Sequence, residues 1–136
     1  MHRVSDNLLF GGLREAADTE LYDIHCVDTV VRLCEAEPIV DYPDRVDVFD
    51  RYIMDGDGNE RGNVLDAVSV VEERLEQGDT VFVHCTNGES RAPAVVAACV
   101  RRNIDENFVF VVNKIKREVD QKINITDRVH IHASCL

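Results

Sequence analysis

The sequence predicts one α/β domain over residues 1–136, with a mainly parallel sheet of four or five strands flanked by helices. Three observations lead there. Short β-branched or apolar runs alternate with segments whose apolar residues recur every three or four positions. A chain of 136 residues has the usual length of a single domain. No internal repeat, low-complexity tract or Pro/Ser-rich linker divides it.

Asn7-Leu8-Leu9-Phe10 reads as a short strand that ends in the turn Gly11-Gly12. Asp18 is placed to cap a helix reaching about Ile24, with Leu21 and Ile24 on its buried side. Thr29 to Leu33 is a β-branched strand, and Val46 to Met54 alternates enough to read as another. A sharp turn follows at Asp55-Gly56-Asp57-Gly58-Asn59. From Asn63 to Gln77, Val64, Ala67, Val68, Val71 and Leu75 mark an amphipathic helix stopped by Gly78. Thr80 to His84 is short and apolar, the pattern of a strand covered on both faces. Ala92 to Val100 is apolar nearly all round and predicts a central buried helix. Asp105 is expected to cap a further helix carrying Phe108, Val109, Val112 and Ile115. Ile123 to Leu136 fits helix or strand equally.

Composition narrows the function. Hydrophobic residues make up 45%, too many for a disordered chain. The longest apolar stretches are far too short to span a membrane, and Met1-His2-Arg3 with Asp6 lacks a signal peptide's apolar core. Five cysteines, an odd number without a framework, suit reduced thiols. A cytoplasmic monomer is the expectation. The net charge of −11 argues against nucleic-acid or anionic-membrane partners. Aspartate supplies 15 of the 26 acids and lysine only three of the 15 bases, a balance that points to work in high salt, where self-repulsion is screened.

The densest chemistry lies in His84-Cys85-Thr86-Asn87-Gly88-Glu89-Ser90-Arg91, between the predicted buried strand and buried helix. Backbone N–H groups of such a loop wrap an oxyanion, and the helix dipole adds partial positive charge. Gly88 permits the turn that points those donors inward. Arg91, in the first helical turn, offers a planar fork to two phosphate oxygens. The same positive field favours the thiolate form of Cys85. Thr86, Asn87, Gly88, Glu89, Ser90 and Arg91 are therefore the candidate phosphate-binding residues, with Cys85 as candidate nucleophile. A merely buried cysteine beside a surface arginine would not require glycine and serine at these offsets.

This Cys-x5-Arg stretch, with His before Cys and Ser before Arg, resembles the protein tyrosine phosphatase superfamily. Chain length and the H-C-x-x-G-x-S-R form resemble its compact dual-specificity branch, from Asn7-Leu8-Leu9-Phe10-Gly11-Gly12 to the helix near Lys116. The resemblance implies a dual-specificity phosphatase-like fold and hydrolysis of a phosphorylated protein or small phosphomonoester through a phosphocysteine, without metal or cofactor. It also implies a general acid on a loop well before the nucleophile. Asp55, thirty positions before Cys85, matches in context, with Asp57 as the alternate. Both acids would also suit a plain turn. Asp55-x-Asp57-x-Asn59 ending at Asp66 is a rival calcium spacing, although Glu60 stands where the loop's glycine belongs.

The sequence departs from the family at Ala92, where a Ser or Thr hydroxyl usually assists breakdown of the phosphocysteine. That raises a second function, a slow or inactive phosphate-binding module on the same fold. A third, arsenate reduction or sulfur transfer, would need a second cysteine nearby. Cys34, at a strand end, is the residue that would serve; the family also pairs such a cysteine with the nucleophile on oxidation, while a buried free thiol is the plainer reading. His84 resembles the histidine that helps hold the thiolate. His130 and His132 lack partners at metal-ligand spacing. Glu89 disfavours polyphosphate substrates and favours phosphotyrosine or phosphoserine/threonine in neutral or basic surroundings.

Overall fold

The computed structural model describes residues 1–35, 37, 39–54, 61–134 and 136. The sheet holds β1 (His2–Ser5), β2 (Leu8–Gly11), β3 (Thr29–Arg32), β4 (Asp47–Asp50) and β5 (Val81–His84). Their spatial order is β1-β2-β5-β3-β4. β1 and β2 form an antiparallel hairpin, and every other pairing is parallel. β5 is central and buried at all four positions, which is why its sequence is an unbroken apolar run up to His84.

Helices α1 (Leu13–Ala16), α2 (Thr19–Ile24), α3 (Arg61–Glu76), α4 (Arg91–Asn103), α5 (Phe108–Glu118) and α6 (Asp127–Ser134) cover the two faces. Alternation along the strands divides the core. Leu8, Phe10, Val31, Val81 and Val83 pack with apolar residues of α3, α4, α5 and α6. Leu9, Val30 and Phe82 pack on the other face with Ala16, Tyr22, Val27 and Val46. α4 is buried from Arg91 through Cys99, as its continuous apolar run requires.

Several details differ from the sequence reading. The β1 strand was not expected; its half-polar pattern hides the pairing with β2. Asp18 does cap α2, accepting from the Glu20 amide. The buried residue of that helix is however Tyr22, whose hydroxyl donates to the Ala16 carbonyl, and Ile24 is 68% exposed. A six-residue helix is too short for periodicity to fix its inner face. The cap of α5 is Asn107, accepting from the Phe110 amide at 2.8 Å, rather than Asp105. Helix start therefore moves two residues, Val111 turns inward and Val109 outward. α3 ends near Gly78, which takes φ +87°. The ambiguous tail is helical over α6. The turn expected at Asp55 to Asn59 lies outside the described residues.

Candidate active site

Parallel strands β2, β5 and β3 bring their carboxyl ends to one edge, and β5 delivers His84 and Cys85 to its middle. The chain then turns through residues 86–90 and enters α4 at Arg91. Gly88 adopts φ +73°, and a Cβ there would stand 2.9 Å from the Gly11 carbonyl carbon. Gly12 meets the same loop from below: its Cβ would lie 2.8 Å from the Thr86 oxygen and the Asn87 carbon. The Leu13 amide donates to the Thr86 carbonyl at 2.9 Å, and the Cys85 amide to the Gly11 carbonyl at 3.2 Å. The Gly11-Gly12 turn is thus the floor of the loop, and only residues without side chains allow that approach.

Cys85 is buried, and the Ala92 amide donates to its sulfur at 3.4 Å. This N–H belongs to the open first turn of α4, so the helix end faces the thiol. Arg91 is 5% exposed. One terminal nitrogen donates to the Ile53 carbonyl at 3.1 Å and the other to the Thr86 hydroxyl at 2.9 Å. Its Nε has no hydrogen-bond partner, the one such buried side-chain polar atom among the described residues. An unpaired donor of a buried guanidinium is costly unless an anion completes it. Cys85, Asn87, Glu89, Ser90 and Arg91 line a cavity of about 150 Å³ together with Asn124 and Thr126.

A polar network fixes this edge from beneath. His84 is fully buried, stacked on Phe82 at 5.6 Å, and burial holds its imidazole down at about 4. It is therefore neutral at pH 7. Nδ1 lies 3.2 Å from the Cys85 carbonyl, which can only accept, so Nδ1 carries the proton. Nε2 then accepts from the Tyr42 hydroxyl at 2.6 Å. The Cys34 thiol is buried, free and 4.0 Å from the same Nδ1, and burial pushes it up. Arg32 donates to the Glu35 carbonyl and reaches the Tyr42 hydroxyl at 3.5 Å. Glu35 stands 3.7 Å from Arg91, its carboxyl lowered first by a backbone hydrogen bond, then by that guanidinium.

The loop residues Cys85 through Arg91 come together as the sequence placed them. Asp55 and Asp57, the candidate acids, lie outside the described residues, and with them the calcium spacing. His130 sits edge-on to Phe108 at 5.0 Å, away from any ligand cluster. Among the described residues no three His, Cys, Asp or Glu side chains gather as a metal site, and no helix is long and apolar enough to cross a membrane.

Sequence reading missed Tyr42, Glu35 and the segment 123–126. The Asn124 amide donates to the Glu89 carbonyl at 2.7 Å and the Thr126 amide to the Ser90 hydroxyl at 3.0 Å. Only Glu35, an acid three residues past the end of β3, left a local signal.

Sequence comparison finds no matching family model and no matching characterised protein. Solved structures do match along the whole chain. The human tyrosine phosphatase-like serine/threonine/tyrosine-interacting protein superposes with a TM-score of 0.86 at 15% identity, covering 98% of this chain and 92% of that one. Human DUSP28 gives 0.85 at 19% identity, covering 98% and 92%. The fold is that of the dual-specificity phosphatases. A leucine rich repeat and phosphatase domain containing protein from Entamoeba histolytica gives 0.80 at 14% identity, covering 98% and 88%. A dual-specificity phosphatase-like fold at such low identity means that the layout is kept while more than four residues in five differ.

Proposed function

We propose that the chain is a cysteine-dependent phosphomonoester hydrolase acting on phosphotyrosine and/or phosphoserine/threonine. The observation that carries this reading is the unpartnered Arg91 Nε in the cavity that also holds the Cys85 thiol. A tetrahedral oxyanion supplies the missing acceptor, and the loop amides and helix end supply its other donors.

In the first step the Cys85 thiolate attacks phosphorus. An S–P bond forms, the P–O bond to the leaving group breaks, and Asp55 gives that oxygen a proton. In the second, the Asp55 carboxylate takes a proton from water as its oxygen attacks phosphorus. The P–S bond breaks, inorganic phosphate leaves and the thiolate returns. The Ala92 amide favours that thiolate in both steps. His84 has no proton to give at neutral pH beyond the one held on the Cys85 carbonyl, so its part is to fix the strand end.

A second reading has its own support. The Ala92 position carries no hydroxyl, so the group that usually assists breakdown of the phosphocysteine is missing there. A binding module that hydrolyses slowly, or not at all, fits this equally. The solved structure with a TM-score of 0.86 is itself described as phosphatase-like and interacting.

Turnover of an aryl phosphate by wild type and Cys85→Ser separates the two. Hydrolysis that falls below about a hundredth in Cys85→Ser, with phosphate still bound, supports the enzyme. Binding without release of phenolate from wild type supports the module. A leaving-group series with Asp55→Asn assigns the acid, since poor leaving groups depend on it most.

A further inference from the structure

We propose that the groove between α5 and the 123–126 segment is a substrate subsite for a carboxylate. Its occupant is an Asp or Glu side chain close to the phosphorylated residue of an extended protein segment. The inference rests on the phosphatase reading of the Cys85 cavity and adds what lies beside the phosphate.

Three cavities adjoin at this edge. The Cys85 cavity shares Asn124 with the groove, which holds about 170 Å³. It shares Asn87 and Glu89 with a recess of about 230 Å³ that also holds Glu15 and Arg14. Groove and recess have no lining residue in common, so the phosphate position is the middle of a trough.

Charge sets the groove apart. Its polar lining is Asn113, Lys116, Asn124 and His130, over a base of Val112 and Ile125. The lysine, both amides and the imidazole offer N–H donors, and among the described residues no acid lines it. Four other cavities each include at least one carboxylate, as a chain with 26 acids against 15 bases leads one to expect. The cause is local. Residues 114–122 hold all three lysines of the chain and Arg117, against only Glu118 and Asp120. Lys116 reaches the groove on the outward stripe Val109, Asn113, Lys116, while Phe108, Val111, Val112 and Ile115 close onto the core. It has no ion pair among the described residues, so folding leaves its charge uncommitted.

One lysine balances one charge, which suits a carboxylate better than a second phosphate of about two charges. The net charge of −11 opposes any anion, but in about 0.1 M salt charges beyond about 10 Å are screened and the lining decides. One shared side chain, Asn124, separates groove from phosphate. The acidic residue is therefore within about two positions, at roughly 3.3 Å per extended residue. On the recess side Glu15 and Glu89 outnumber Arg14 and oppose an acid. The neutral or basic surroundings expected from Glu89 thus apply to that side alone, and the trough fixes chain direction.

The test uses the Cys85→Ser protein, with inorganic phosphate as the core probe. Its ligands are phosphotyrosine and phosphothreonine peptides with Asp, Asn or phosphoserine at the two positions on either side. Fluorescence anisotropy should show Asp preferred over Asn by about three- to tenfold on one side of the phosphoresidue and not the other. Lys116→Gln should bring that ratio to near unity, while Lys114→Gln, the same charge change away from the groove, should keep it. Equal affinities, a preference on both sides, or a ratio that survives Lys116→Gln would overturn the subsite, as would one lost equally in Lys114→Gln. A phosphoserine peptide bound more than about tenfold tighter than its Asp counterpart would overturn the carboxylate in favour of a second phosphate. Failure of inorganic phosphate to bind at all would overturn the phosphatase reading, and the subsite with it.

Discussion

Two walls of the same cavity were made in different ways. The Cys85 to Arg91 loop is a contiguous stretch whose shape follows from a strand end, one glycine at positive φ and a helix start. The opposite wall, residues 123–126, reaches the cavity from far along the chain: the Thr126 amide and the Ser90 hydroxyl it meets are 36 positions apart. What brings it there is burial, since Ile123, Val129 and Ala133 all belong to the core against α3 and α4. An anion cradle of the proposed kind can be written locally, because its donors would be backbone groups. Its rim, which meets whatever surrounds the phosphate, is set by tertiary packing and is free to vary while the cradle stays.

If the comparison is sound, damage to the loop should cost far more than damage to the wall. Arg91→Lys should lower kcat/KM for an aryl phosphate by about 10²–10³-fold, because a point charge cannot hold Ile53, Thr86 and an oxyanion together as the fork does. A loss under about tenfold would mean that the loop amides suffice.

The strand end under the loop offers a test through pH. His84 binds its proton near 4 when folded and near 6.5 when exposed. Between those values the unfolded chain takes up a proton that the native site refuses. The contribution is thus complete above pH 6.5 and is lost as pH falls toward 4, on the order of 3 kcal/mol at about 1.4 kcal/mol per unit. Urea unfolding across this range should show the slope, and His84→Asn, less stable at pH 7, should flatten it. An unchanged slope would place the acid sensitivity elsewhere.

At the contact that ties the wall to the loop the smallest effect is expected. Ser90→Ala removes the acceptor of the Thr126 amide, and should cost about 1 kcal/mol of stability and a three- to tenfold loss of turnover. Hydrogen exchange at Thr126 should speed up while the amides of β5 stay protected. Turnover reduced as severely as in Arg91→Lys would erase the distinction between the two walls.

Legibility in the sequence followed the same division. The central strand, α3, α4 and the whole candidate loop could be read because periodicity, Gly78, Gly88 and the Arg91 offset are local signals. The α5 cap falls at Asn107 rather than Asp105 because both residue types cap well and only the polar pair Glu106-Asn107 separates Asp105 from Phe108. Tyr42 could not be found: it lies in a polar loop, and only the fold carries its hydroxyl to His84. Gly11-Gly12 was read as a turn, but its use as the floor of the loop depends on β2 pairing with β5.

The central claim is that Cys85 becomes phosphorylated and that Ala92 slows its release. Rapid-quench mass spectrometry during turnover of an aryl phosphate tests it directly. The account predicts a burst of phenolate, a phosphoryl group on the peptide containing Cys85 during the steady state, and, in Ala92→Ser, a faster steady rate with less phosphorylated peptide. Full turnover with Cys85 unmodified at every time point, or persisting in Cys85→Ser, would contradict it.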